Sequence, residues 1–316
     1  MNQIRPCKAG IGCRRSAAFA ALLPLVFLSV AGAQSIPESA SISAETTEYP
    51  SAPTSVQGLY VLDCGTGHFQ NTERWTPGVN VGKPMTWPDY CFLIQDEHGY
   101  FLWDTGLPDY VASMPNGWQA RNLSAGIHWT RQRTLLSELD QIGVKPADIK
   151  YIGISHTHPD HLGNVEEFPD TTVIISRDEY HYYFDEGRPP VNQPAADPVP
   201  GFRSTHPVIL INEDWDVFHD GSVMMFATPG HPPGHESLLV HLKDTGWVIL
   251  AGDSIHLITN FYNDQIPYYR NMPQAQRWET LLSTMRIRDL MNYYHAQLWL
   301  NHDPTQKFKM SPGYYQ

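Results

Sequence analysis

Cationic side chains are scarce in this 316-residue chain: 21 Lys and Arg stand against 33 Asp and Glu, for a formal charge of −12. Such a balance offers little to a phosphate backbone or an anionic lipid surface, which argues against nucleic acid and membrane surfaces as partners. No apolar run is long enough to span a bilayer; the stretch at 17–30 falls short of the roughly 20 residues required. Cysteine is rare as well. None follows that apolar stretch, so a bacterial lipid anchor is not indicated, and only Cys64 and Cys91 lie beyond residue 33. In an oxidising compartment those two could pair, yet each sits in an apolar strand-like run where a buried free thiol fits equally well. Short-period repeats are absent, which excludes a repeat architecture.

What is present begins with a basic head, Arg5, Lys8, Arg14 and Arg15, ahead of the apolar stretch and the small-residue site Ala31-Gly32-Ala33. Residues 1–33 therefore read as a signal peptide cleaved before Gln34, and the mature protein is expected in the periplasm or secreted, without a stable membrane anchor. The Arg14-Arg15 pair matches only part of a twin-arginine export signal. Residues 34–55 lack hydrophobic periodicity and read as a flexible lead-in. Apolar residues make up 41% of the chain, enough for a sizeable core, and no domain boundary is visible inside 56–316.

Apolar alternation predicts strands at 56–62, 90–94, 100–103, 151–155, 172–176, 208–211, 223–226, 238–242, 247–251 and 297–300. Helical spacing predicts helices at 135–142, 177–184 and 274–293, and Asn164 reads as the N-cap of another. The segments 65–88, 107–129 and 187–207, rich in Gly, Pro, Asn or Trp, read as loops. Strands interrupted by helices in two successive halves predict an α/β protein, an αββα sandwich of two packed mixed β-sheets with helices on the outer faces.

The chemistry concentrates in His156-Thr-His158-Pro-Asp160-His161. Imidazole nitrogens and carboxylate oxygens are the donors that Zn²⁺ and its neighbours prefer. Positions 156 and 158 point the same way from an extended segment, while Asp160 and His161 turn back toward a second position, a spacing that suits two adjacent cations. The bland alternative, a polar turn with coincidental histidines, ignores the strand-like run that delivers it. His231, Asp253 and His302 each follow a predicted strand as well, and loops at one edge of a rigid sheet are where metal sites collect. Taken singly, each of these three could instead be a turn residue satisfying nearby backbone groups.

The ordered set His156-x-His158-x-Asp160-His161, Thr228-Pro-Gly-His231, Gly252-Asp253 and a strand-terminal His302 resembles the metallo-β-lactamase superfamily of binuclear hydrolases, across residues 56–316. Asp104-Thr-Gly106, the run from Thr228 to Leu238 and Asn301-His302-Asp303 look like its N-acyl homoserine lactonase branch. The resemblance implies that His156, His158 and His231 hold a first divalent metal ion, that Asp160, His161 and His302 hold a second, and that Asp253 bridges them, with Zn²⁺ the default for both. It places His235 and Asp104 behind the ligands, Asp104 orienting an imidazole through its free N–H. Two close cations acidify water and polarise a carbonyl, and Asp160 would relay the proton to the leaving alkoxide. The implied activity is a hydrolase that opens the ring of N-acyl homoserine lactones, with a small-molecule lactone or ester as partner; a homodimer stays open.

One position departs from that pattern. Well-known members of the branch carry Tyr three residues after the bridging Asp, where this chain has His256. The imidazole is expected to donate to the substrate in its place. Phe69, Trp75, Trp87 and Trp118, with Tyr262, Tyr268 and Tyr269, are expected to wall an acyl pocket. Two rival readings remain: an organophosphate or aryl-ester hydrolase with nearly the same ligands, and a metal-binding module without catalysis, for which Asp160 as a relay has no purpose. The iron oxidoreductases of the superfamily resemble His-x-Glu-x-Asp, and position 158 is His.

Overall fold

The computed structural model describes residues 54–119, 127–184, 206–267, 273–310 and 313–316, all within one unit spanning 48–316. The expected signal peptide, nearly all of the lead-in, most of the 187–207 loop, Tyr268 and Tyr269 lie outside the described residues.

The larger sheet holds β1 (Val56–Phe69), β2 (Met85–Asp96), β3 (Gly99–Trp103), β4 (Trp118–Gln119), β5 (His128–Thr130), β6 (Ile149–Gly153), β7 (Thr172–Ser176) and β8 (Val208–Ile211). Their order is β4-β5-β1-β2-β3-β6-β7-β8, antiparallel from β4 to β3 and parallel from β3 to β8. The smaller sheet holds β9 (Trp215–Asp216), β10 (Val223–Ala227), β11 (Glu236–Leu242), β12 (Gly246–Leu250) and β13 (Gln297–Trp299), in the order β13-β12-β11-β10-β9. Here only β12 and β13 pair in parallel. A last strand, β14 (Tyr314–Tyr315), adds to β1. The α-helices are α1 (Leu135–Gln141), α2 (Pro159–Leu162), α3 (Arg177–Phe184), α4 (Ile258–Tyr262) and α5 (Gln274–Tyr294).

Side-chain alternation along the strands builds four layers. One face of each sheet meets the other: Leu59, Val61, Phe92, Phe101 and Trp103 pack with Met225, Leu238, Val240, Val248 and Leu250. On the outer face of the larger sheet, Leu93, Leu102 and Ile152 pack with Leu135 and Leu139 of α1 and Tyr183 of α3. On that of the smaller sheet, Leu239, Ile249 and Leu298 pack with Phe261 of α4 and Ile287 of α5. The αββα sandwich expected from the alternation is the fold observed.

Three expectations need correction, the simplest being the 107–129 loop, which holds β4 and the start of β5. The loop expected at 65–88 is largely strand at its ends, because β1 runs on to Phe69 and β2 starts at Met85. A register shift between Asp63 and Gly65 bends the pair, and beyond it Phe69, Trp75, Trp87 and Trp129 form an aromatic cluster that outweighs the weak strand propensity of Gly67 and Pro88. Asn164 caps nothing with its side chain. Its amide donates to the carbonyls of Thr105 and Leu107 at 2.6 and 2.7 Å, and its Oδ1 accepts from the Asp109 N–H at 2.7 Å, stapling the loop after β3.

Cys64 and Cys91 are joined, at a Cα–Cα separation of 5.8 Å, so the bridge ties β1 to β2 beside the bend. It closes a loop with a sequence separation of 27, which by loop entropy corresponds to about 3–4 kcal/mol. The double variant Cys64→Ala/Cys91→Ala is expected to lose stability of that order in denaturant melts, with its secondary structure retained.

Candidate metal centre

Strand direction gathers the candidate residues. β3 and β6 are parallel, β12 and β13 are parallel, and β10 runs with β12 because both oppose β11. The segments after these strands, at 104–106, 155–161, 228–235, 251–256 and 300–303, therefore meet at one edge of the sandwich. Within the first of the histidine segments Pro159 opens α2, and the residue before a proline is held extended. His158 accordingly has φ −70° and ψ 152°. The chain then turns helical, which sends Asp160 and His161 to the neighbouring position.

The seven predicted ligands divide into two adjacent clusters. His156, His158, His231 and Asp253 form one, and Asp160, His161 and His302 the other, each with its ligand atoms within 4.8 Å of one another. In the first, His158 Nδ1 lies 2.8 Å from His156 Nε2 and 3.2 Å from His231 Nε2. Asp253 Oδ2 is 3.4 Å from His231 Nε2 and 3.8 Å from His156 Nε2. Donors about 2.0–2.1 Å from a zinc ion stand about 3.3 Å apart at tetrahedral corners, so these gaps fit a shared cation. Asp253 Oδ1 faces the second cluster, 3.0 Å from His302 Nε2 and 3.3 Å from His161 Nε2. Asp160 Oδ2 is 3.7 Å from His302 Nε2 and 4.0 Å from His161 Nε2.

Hydrogen bonds behind the clusters fix which ring nitrogens face inward. His161 Nδ1 donates to Asp104 Oδ2 at 2.8 Å and His302 Nδ1 to the Pro88 carbonyl at 2.8 Å, leaving each Nε2 lone pair for the centre. With both imidazoles neutral, the two Nε2 atoms and Asp253 Oδ1 are buried acceptors with no donor, the arrangement of ligand atoms awaiting a cation. Asp104 also accepts from the N–H and hydroxyl of Ser155, whose oxygen is then free to accept from His156 Nδ1 at 3.0 Å. One carboxylate thus orients a histidine in each cluster. His235 orients the carboxylate shared between them: its Nε2 accepts the Asp253 N–H at 3.0 Å, so its proton sits on Nδ1. From there the donors run in one direction, His235 Nδ1 to Thr228 Oγ1, Thr228 to Ser237, and Ser237 to the Ala251 carbonyl.

The electrostatics follow from burying so many groups together. Burial, with neighbouring imidazoles, holds the pKa values of His156, His158 and His235 well below the usual histidine value. Burial opposes the charged form of His161 and His302 too, but the nearby carboxylates outweigh it. His161 is raised well above its ordinary value by Asp253 and Asp104, and His302 to about 9 by Asp253 and Asp160. For Asp253, burial is outweighed by His256, His302 and His161, which keep it ionised far below the normal range. Burial raises Asp160.

His256 is buried beside the clusters, its ring 4.5 Å from Trp75 and its Nε2 3.1 Å from Asp253 Oδ2. Burial lowers its pKa to about 4. Its Nε2 faces the carboxylate, a contact additional to the substrate contact expected from the sequence. The aromatic residues expected to wall a pocket are instead packed: Phe69, Trp75, Trp87 and Trp118 are buried, and Trp87 stacks on His302 at 4.4 Å. Tyr262 is exposed. Sequence reasoning missed Ser155, the Pro88 carbonyl and Asp89, a fully buried carboxyl that burial raises to about 7 and that accepts the Leu107 N–H. No spacing marks any of the three.

The sequence profile of the metallo-beta-lactamase superfamily matches residues 86–292. The N-acyl homoserine lactonase AttM of Azorhizobium caulinodans is 30% identical over 234 residues, covering 71% of this chain and 86% of that protein. Among solved structures, an N-acyl homoserine lactone hydrolase with the product N-hexanoyl-L-homoserine bound at its catalytic metal centre superposes with a TM-score of 0.70. At 24% identity, over 83% of this chain and all of that one, it speaks for the fold. AidC, a dizinc quorum-quenching lactonase, gives 0.56 at 16% identity, over 84% and 98% of the two chains.

Asp104→Asn leaves one acceptor oxygen for the three donors that Asp104 takes from Ser155 and His161, while tolerating the positive φ of 58° at that position. It is expected to weaken zinc binding about 10–100-fold in chelator competition. With its pKa raised to about 9, His302 is expected to hold a proton at pH 7 in the metal-free chain, which a binding cation expels. Zinc affinity is therefore expected to fall about tenfold per pH unit below about 9 for each proton expelled, with proton release measurable by calorimetry in buffers of different ionisation enthalpy.

Proposed function

The chain belongs to the metallo-β-lactamase superfamily, and from that premise we propose that it is a binuclear metal-dependent hydrolase opening the lactone ring of N-acyl homoserine lactones. The observation that carries the reading is the meeting of seven side chains in two clusters that share Asp253, with Asp160 present in the second. His156, His158 and His231 would hold one cation, Asp160, His161 and His302 the other, and Asp253 both through its separate oxygens. Zinc suits so nitrogen-rich a set. When bound, such a pair acidifies water and draws electron density from an ester carbonyl.

The chain's own groups supply the rest. Asp160, its pKa raised by burial, accepts a proton from the attacking water and returns it to the ring oxygen as the acyl C–O bond breaks. One water is consumed, and the product is a hydroxy acid with its alcohol still attached. His256 donates Nε2–H to Asp253 Oδ2 and holds that carboxylate in place. The tryptophans around His256 and His302 exclude water behind the imidazoles. An exported location, expected from residues 1–33, suits a diffusible substrate outside the cytoplasm.

The test is a product assay of metal-replete protein on acyl homoserine lactones, aryl esters and phosphotriesters. Ring-opened acyl homoserine from the lactones is expected to dominate; preferential turnover of phosphotriesters or aryl esters would replace this reading with its rival. Asp160→Asn is expected to lower turnover about 10²–10⁴-fold, and His256→Phe about 10–100-fold through misplacement of Asp253. Unchanged kinetics in the second variant would remove His256 from the mechanism.

A further inference from the structure

We propose that Glu179 is a positioning residue for the centre, its buried carboxylate holding the peptide between His156 and His158 at a fixed place. The proposal rests on the metal-centre reading above and adds a residue from outside the ligand segments. Ser176-Arg177-Asp178-Glu179 has the sequence of a helix capping box, in which a Ser oxygen takes the N–H of the Glu and the Glu reaches back to the N–H of the Ser. Only the first half serves that purpose: Ser176 Oγ accepts the Glu179 N–H at 3.1 Å. Glu179 Oε1 turns away from its own helix and accepts both the N–H and the hydroxyl of Thr157, at 2.7 and 2.5 Å.

Thr157 lies between two candidate ligands of the first cluster. The third is reached from the same turn of α3. Ser176 Oγ donates to the Gly234 carbonyl at 2.6 Å, three residues past His231. A Cβ at Gly234 would stand 2.1 Å from Glu179 N, so the helix start and that loop are in backbone contact. Every imidazole of the first cluster therefore sits on a segment pinned to residues 176–179. A capping role alone does not account for the arrangement, because a cap can face water, whereas Glu179 is fully buried and a buried carboxylate is costly unless its bonds are needed. Removing it would strand the Thr157 N–H, a buried donor.

The experiment compares Glu179→Ala, which removes the acceptor, with Glu179→Gln, which keeps an oxygen there, and Thr157→Val, which removes the hydroxyl donor alone. Zinc is titrated into each metal-free protein by chelator competition, cobalt absorption reports coordination geometry, and amide exchange at Thr157 is followed without metal. Glu179→Ala is expected to weaken zinc binding at one site about 10–100-fold and to speed Thr157 exchange. Glu179→Gln is expected to restore both, and Thr157→Val to fall between. Unsubstituted zinc affinity in Glu179→Ala would overturn the proposal, as would a Gln variant as weak as the Ala variant. Should Glu179→Ala fail to fold, unchanged zinc affinity in Thr157→Val overturns it instead. Because zinc binding is read without substrate, a chain that takes up two ions and opens no lactone would refute the lactonase reading while leaving this role in place.

Discussion

A carboxylate removed from water needs positive charge close by, and Asp253 is such a carboxylate. Its two oxygens face opposite ways, Oδ2 toward His156, His231 and His256, Oδ1 toward His161 and His302. In the metal-free chain the surrounding carboxylates raise the pKa values of His161 and His302, which favours balancing protons there. Cations at the two clusters would take over that task. Proton and metal occupancy are thus alternatives at the same lone pairs, and the Nδ1 bonds to Asp104 and the Pro88 carbonyl aim those Nε2 positions at the centre for either.

The sandwich makes this possible by supplying rigid strand ends. Parallel pairing of β3 with β6 and of β12 with β13 delivers four segments to one edge without any of them crossing the core. The bent β1–β2 ribbon, tied by Cys64–Cys91, adds the Pro88 carbonyl behind His302 and the indole of Trp87 against its face. Stability and function share these parts. The hydrogen-bond chain from His235 to the Ala251 carbonyl, for example, secures β10, β11 and β12 to one another as well as the Asp253 backbone.

Much of this was legible in the sequence. Ligand-type residues placed just past apolar runs, in an order that resembles the metallo-β-lactamase superfamily, pointed to the seven candidates, and strands interrupted by helices pointed to the αββα layers. Long, strongly periodic segments such as 274–293 were read within a residue of their ends. Where reading failed, a tertiary contact had overruled a local preference. Gly67 and Pro88 argue for loop, yet the aromatic cluster around Trp87 keeps them in strands. Asn164 has a capping residue's chemistry, but the loop at 105–109 uses its side chain. His256 was recognised as near the centre, though only the fold reveals that its Nε2 meets Asp253. Glu179 belongs to a helix that was correctly expected, and nothing in its spacing points to Thr157.

The most direct test of the shared-carboxylate account is anomalous diffraction at the zinc edge from crystals of zinc-loaded protein. The account predicts two peaks about 3.5–4 Å apart, one among His156, His158 and His231, the other among Asp160, His161 and His302, with Asp253 touching both. A single peak, or a pair that leaves Asp253 uncoordinated, would contradict it.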